Sequence, residues 1–228
     1  MIAVGIGLFV YLASRPPGTA IIGENPLPVL LVHGYLEDAT IWKTWEDMLK
    51  NDQIPFYTIT FQESNDKCGS AIDHARELNN KVLGILNSTD YKHVNIVGHS
   101  KGGLDARVYL ENGTKSVANL IMIGTPNDGS VLAQKYDFCK PAIWDILPNA
   151  AATKAKRNLN TNYYTIAGNW KPDNGNPDIP GPDDGLVAVS SVESEGYFQN
   201  LGQTSHQHNE LLGSDEYKLA RDVLMGRK

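Results

Sequence analysis

The stretch VNIVGHSKGGLDARVYL, residues 94–110, constrains this chain more than any other part of it. A mostly β-branched run ends in Gly-His-Ser-Lys-Gly-Gly, and a helix-forming sequence follows at once. A strand that turns so abruptly into a helix is crowded at the turn, and only residues without a side chain fit two before and two after its centre. Gly98 and Gly102 stand at those places around Ser100. A G-x-S-x-G in this setting holds its serine in a strained backbone with Oγ clear of the sheet, and aims the N-terminus of the next helix at it. The Lys101 N–H then lies where an oxyanion would form beside Ser100. The glycine spacing fits neither G-x-x-x-x-G-K-[ST] nor G-x-G-x-x-G, so a nucleotide site is not supported.

The flanking sequence alternates strand and helix patterns. PVLLVHG precedes ATIWKTWEDMLKND, whose Ile41, Trp42, Trp45, Met48 and Leu49 share a helical face; PFYTITF precedes AIDHARELNNKVLGIL, with Ile72, Ala75, Leu78, Val82, Leu83 and Leu86 at three- and four-residue spacing. KHVNIVG, LDARVYLEN, VANLIMIG and NYYTIAG continue the series as strand, helix, strand, strand, and NELLGSDEYKLARDVL closes it as a turn and an amphipathic helix. Such alternation predicts right-handed crossovers and a mostly parallel sheet with helices on both faces. Residues 125–160 break the rhythm and read as a short helical excursion over the C-terminal edge of the sheet; KPDNGNPDIPGPDD reads as a loop.

A serine hydroxyl needs a base within hydrogen-bond reach, and that base needs a carboxylate to orient it. In this arrangement the chain order is serine, acid, histidine. After Ser100 only His206 and His208 remain, and His208 opens the segment leading into the last helix. His208 is the expected base and His206 the alternative. Among the intervening acids, Asp183 and Asp184 precede GLVAVSS; Asp184, read at a strand end, is the expected partner, although Asp-Gly also makes ordinary turns. The loop after PVLLVHG should give the second oxyanion donor, the Tyr35 N–H. His33 and His99 read as packed structural histidines. Ile143, Trp144, Ile146 and Leu147 are candidates to line an acyl pocket. No cofactor is called for.

The first 13 residues, MIAVGIGLFVYLA, carry no charge and end at SRPPG, which reads as an export signal or membrane anchor over residues 1–18. The remaining residues, 19–228, suit one domain, given 228 residues and 41% hydrophobic content in all. A net charge of −6 with no basic block argues against nucleic acid as a partner. Cys68 and Cys139 show no CxxC spacing, which disfavours zinc; in an exported chain they either close a disulfide or remain two buried thiols. Asn87-Ser88-Thr89 and Asn112-Gly113-Thr114 are sequons that should lie on the surface.

Taken in order, PVLLVHGY, VNIVGHSKGGLDAR, LIMIGTPNDGS, DDGLVAVSS and HNELLGSDEY resemble the small bacterial triacylglycerol lipases and esterases of the α/β-hydrolase fold, the Bacillus-type enzymes among them. The resemblance implies a Ser100-Asp184-His208 triad, Tyr35 and Lys101 as backbone oxyanion donors, and an ester or lipid substrate. Lys101 departs from the Met or Gln usual after the nucleophile, and the excursion is short for a large lid. Some larger relatives hold a structural calcium; here Glu210, Asp173 and Asp178 read as solvated loop acids, and no metal site is expected. An acyltransferase with the same triad and a non-catalytic, membrane-tethered binding module are the rival expectations.

Overall fold

The computed structural model describes residues 26–62, 66–171 and 175–228; the apolar N-terminal segment and Asp173 lie outside them. Six strands form one sheet in the order β2-β1-β3-β4-β5-β6: β1 (Val29–Val32), β2 (Phe56–Ile59), β3 (Val94–His99), β4 (Val117–Ile123), β5 (Asn162–Gly168) and β6 (Gln199–Thr204). Every neighbouring pair is parallel, a stronger result than the mostly parallel sheet expected from sequence. Parallel pairing requires a crossover between strands, and α1 (Lys43–Asn51), α2 (Ala71–Asn87) and α3 (Lys101–Glu111) make the crossovers β1 to β2, β2 to β3 and β3 to β4; the C-terminal α6 (Ser214–Leu224) follows the last strand.

Strand side chains alternate between two apolar layers, as their period of two requires. Leu30, Val32, Ile96, Leu120 and Met122 pack on one face with Leu78 and Val82 of α2 and Leu110 of α3. Val29, Leu31, Val97, Ile121 and Ile166 pack on the other with Trp45 and Leu49 of α1 and Ala220 and Leu224 of α6. Trp42 and Trp45 meet edge to face at 5.7 Å, and Tyr217 closes on Trp45 at 5.1 Å. Such aromatic pairs add about 1 kcal/mol each beyond the area they bury. Both sequon asparagines, Asn87 and Asn112, are exposed at helix ends.

Two local expectations need correction, and one strand has no counterpart among them. Ile72 and Leu83 point outward, because the buried stripe of α2 runs through Ala71, His74, Ala75, Leu78, Val82 and Ile85, and His74 earns its place there by pairing with Asp105. Asp184, read at a strand end, belongs to no strand; the segment after it runs into a short helix, α5 (Val189–Glu193), whose Val189 and Val192 pack with Ala167. The edge strand β6, QNLGQT, carries one large apolar residue, Leu201, too few to be seen by pattern; it pairs with β5 alone and is largely accessible to solvent.

Cys68 and Cys139 are joined, tying the approach to α2 to the excursion across 71 residues of chain. Of the two sequence readings, the disulfide is the one the fold contains. Closing a loop of this size limits the unfolded ensemble and should stabilise by about 4 kcal/mol. Reduction, or Cys68→Ser, is expected to lower the melting temperature by roughly 10 °C. Calorimetry with and without reductant checks this, and superimposable melts would contradict it.

Candidate active site

Ser100 sits between β3 and α3 with φ 52° and ψ −127°, a left-handed conformation that a non-glycine residue adopts only when its surroundings enforce it. The enforcement is visible. A Cβ at Gly98 would come within 2.7 Å of the Gly103 nitrogen, and one at Gly102 would collide with the His33 carbonyl, so any side chain at either place would push the turn open. The Lys101 N–H is the first of α3, among the four at a helix start that have no intrahelical acceptor.

His208 reaches Ser100 from the far end of the chain. Its Nε2 lies 2.9 Å from Ser100 Oγ, and its Nδ1 lies 2.7 Å from Asp184 Oδ2. An ionised carboxylate only accepts, so Nδ1 carries the proton and Nε2 of the neutral ring is left to accept from the Ser100 hydroxyl. The His208 backbone N–H also donates to the Asp184 carbonyl at 2.9 Å, fixing the two loops together. All three residues are enclosed: Ser100 is 8% exposed, His208 6% and Asp184 1%. Asp184 lies in a turn rather than at the expected strand end. Its Oδ1 accepts the N–H groups of Leu186 (2.9 Å) and Val187 (2.7 Å), so one oxygen builds the turn while the other faces the imidazole. The turn-making role of this Asp-Gly and its contact with His208 coexist.

The alternatives are held elsewhere. His206 Nδ1 pairs with the buried Glu216 of α6 at 2.7 Å, and the Asp183 carboxylate accepts from Gly185 and Asn176. Glu210 caps its own turn by accepting from the Gln207 N–H, and Asp178 pairs with Lys135. Among the described residues no cluster of three His, Cys, Asp or Glu side chains could hold a metal ion.

Ser100 and His208 open onto a cavity of about 310 Å³ whose other walls are largely apolar, including Leu132, Phe138, Ile143, Ile146 and Val187. Ile143 and Ile146 therefore line it as expected, whereas Trp144 is 53% exposed and Leu147 is not in the wall. Tyr35 lines the same cavity, and its hydroxyl donates to the Phe138 carbonyl at 2.9 Å, binding the loop after β1 to the excursion.

Two groups beside the site went unrecognised in the sequence. Glu37 Oε2 accepts the Gly34 N–H at 2.7 Å and meets His99 Nδ1 at 2.9 Å, while His99 Nε2 donates to the His208 carbonyl at 3.1 Å. With both ring nitrogens facing acceptors, His99 is held as the imidazolium. Burial alone would lower its pKa; the Glu37 carboxylate and the His208 carbonyl reverse that and raise it. Burial alone would raise Glu37; His99 and the Gly34 N–H hold it below its usual range. The raised His99 contributes stability below about pH 6.5 that is lost as pH climbs through its folded value, and the depressed Glu37 contributes above about pH 4.3 and fades on acidification. Glu37→Gln should therefore cost about 2 kcal/mol near pH 6, with the difference shrinking toward either extreme. Urea midpoints at acid, near-neutral and alkaline pH measure it, and a difference independent of pH would refute the ion pair.

The second unrecognised group is the Lys101 side chain. It is buried beneath the turn, with Nζ 2.6 Å from Asp105 Oδ1 and 3.5 Å from Asp145 Oδ2, while Asp105 also meets His74 at 2.7 Å. The Lys101–Asp105 pair at i,i+4 was the available signal. It locks the first turn of α3, and with it the Lys101 N–H, to α2 and to α4 (Ala142–Asp145).

The model of the palmitoyl protein thioesterase family matches residues 28–176. Triacylglycerol lipases of Pseudarthrobacter phenanthrenivorans and Burkholderia plantarii are each 30% identical over 115 residues, 46% of this chain but 35% and 31% of theirs, so the chain spans about a third of the length of these curated relatives. Among solved structures, mature Bacillus licheniformis lipase BlEst2 superposes with a TM-score of 0.70 at 21% identity, covering 88% of this chain and 92% of that one. Polyneuridine aldehyde esterase superposes with a TM-score of 0.59 at 13% identity, covering 87% and 98%. The shared architecture is the α/β-hydrolase fold.

Proposed function

The chain belongs to the palmitoyl protein thioesterase family, and from that premise we propose that it is a serine carboxylic-ester hydrolase acting through an acyl-enzyme, with Ser100, His208 and Asp184 as its catalytic triad. The observation that carries the reading is the 2.9 Å contact between Ser100 Oγ and His208 Nε2, backed by Asp184, at the mouth of an apolar cavity. Ser100 Oγ attacks the carbonyl carbon as its proton passes to His208 Nε2. The oxyanion is received by the N–H groups of Lys101 and Tyr35, each such donor being worth about 3 kcal/mol in the transition state. Collapse expels the alcohol, which takes the proton back from His208, and the acyl group stays on Ser100. Water then repeats the sequence: His208 removes its proton, the tetrahedral adduct breaks, and carboxylic acid and Ser100 hydroxyl are restored. Asp184 keeps the imidazole in the productive tautomer throughout.

A thioester substrate is the second reading, favoured by the family's description; only the leaving group changes, from alcohol to thiol. Water as acceptor distinguishes the proposal from an acyltransferase, and product analysis separates the two. The lining of the cavity supports an apolar acyl group, hence an ester or lipid substrate. The disulfide supports an oxidising, extracytoplasmic location, to which the apolar residues 1–13 would suit an export or anchoring role; we read residues 19–228 as one domain.

A fluorophosphonate probe tests the central claim. Covalent labelling of the wild type at Ser100, absent in Ser100→Ala, is expected; an unlabelled wild type would favour a non-catalytic binding module.

A further inference from the structure

A second cavity, of about 250 Å³, lies directly beyond the first. Ser130 and Leu186 line both, so the two cavities adjoin at these residues. The far cavity is bounded mainly by apolar groups, Val131, Pro148, Ile179 and Pro180 among them, with Asp128, Ser190 and Ser191 as polar members of its wall and no triad residue in it. The wall is pinned rather than loosely packed. Ser130 Oγ donates to the Leu186 carbonyl at 2.7 Å, the Leu186 N–H donates to Asp184 Oδ1 at 2.9 Å, and the Ser130 N–H donates to the Ile146 carbonyl at 2.8 Å. Farther out, Lys135 of the excursion and Asp178 of the 175–182 loop form an ion pair at 2.6 Å, joining the two segments that flank the far cavity. Leu186 is 39% exposed, and its hydrogen bonds to Asp184 and Ser130 are made by its backbone, so its side chain can be cut back without disturbing the turn at Asp184.

We infer that Leu186, held by Ser130, is the end wall of the acyl site and sets the longest chain accepted, and that the second cavity is the extension which opens when this side chain is shortened. The inference rests on the ester-hydrolase reading above and specifies its substrate range. The near cavity is at the small end for ligand sites, which span about 300–1,000 Å³, so a long acyl chain outgrows it without the extension.

The experiment is a series of p-nitrophenyl esters from butyrate to palmitate, assayed with the wild type, Leu186→Ala, Leu186→Trp and the remote surface variant Leu159→Ala. Each methylene accommodated or refused by an apolar pocket changes kcat/KM by roughly tenfold or more. Leu186→Ala should raise the ratio of long-chain to short-chain kcat/KM by at least about tenfold, Leu186→Trp should lower it, and Leu159→Ala should leave it unchanged. An unaltered ratio in an active Leu186→Ala enzyme would overturn the inference while leaving the hydrolase reading intact. A wild type that cleaves no ester would count against the hydrolase reading instead. In that event, calorimetric binding of fatty acids from hexanoate to palmitate to the same proteins decides the wall: a long-chain gain in Leu186→Ala supports it, and equal length preference in all of them refutes it.

Discussion

Replacing Ser100 by alanine is expected to lower kcat for ester hydrolysis by about 10⁶-fold, because on the proposed mechanism the acyl group is received by this hydroxyl, which meets the His208 imidazole at the cavity. The fold should survive: the side chain removed is one oxygen, and the crowding that bends the turn comes from the backbone around Gly98 and Gly102. His208→Ala should cost a similar factor, and the double variant little more, since the two groups act as one unit. What remains, about 10³-fold over the reaction in water, would be the work of the oxyanion donors and the cavity. Initial rates on a short-chain ester, with circular dichroism to verify folding, make the comparison. Turnover comparable to the wild type would remove Ser100 from the chemistry.

Asp184→Asn should reduce kcat by about 10⁴-fold with little change in stability. The two oxygens of Asp184 have separate tasks, and the isosteric amide separates them. Its remaining oxygen can still accept from Leu186 and Val187, so the turn persists. Its NH₂ would then face His208 Nδ1 and donate to it, driving the ring proton to Nε2, the atom that must accept from Ser100. The imidazole is thereby held in the wrong tautomer. Rates and urea midpoints measured together test this, and a large stability loss matching the activity loss would point to a merely structural carboxylate.

The contrast between what sequence reveals and what it hides follows from how each feature is encoded. Ser100 is legible because its chemistry needs a local backbone device, with Gly98 and Gly102 as its adjacent traces. His208 is legible by elimination, since only two histidines follow the serine. Glu37 and His99 left no such trace: they are 62 residues apart, and their pairing exists only because β1 lies beside β3. The Lys101 ammonium has a local trace in Asp105 four residues on, but an i,i+4 pair is ordinary on exposed helix faces, and only the fold buries this one. Leu186 could not be singled out at all, since a wall between two cavities is a property of surfaces folded together from the 126–133 and 179–191 segments.

On the proposed mechanism, the contacts around Ser100 also set when the molecule can become reactive. The hydroxyl at 100 and the imidazole at 208 are separated by 108 residues, and the latter follows the last strand to join the sheet edge. Contacts so distant along the chain carry a large loop-closure cost, which the folded sheet repays. By the same proposal, a polypeptide bearing the serine but not yet the histidine lacks the base that the hydroxyl needs. The order of the elements thus works as a built-in delay, confining nucleophilic power to chains that have finished assembling.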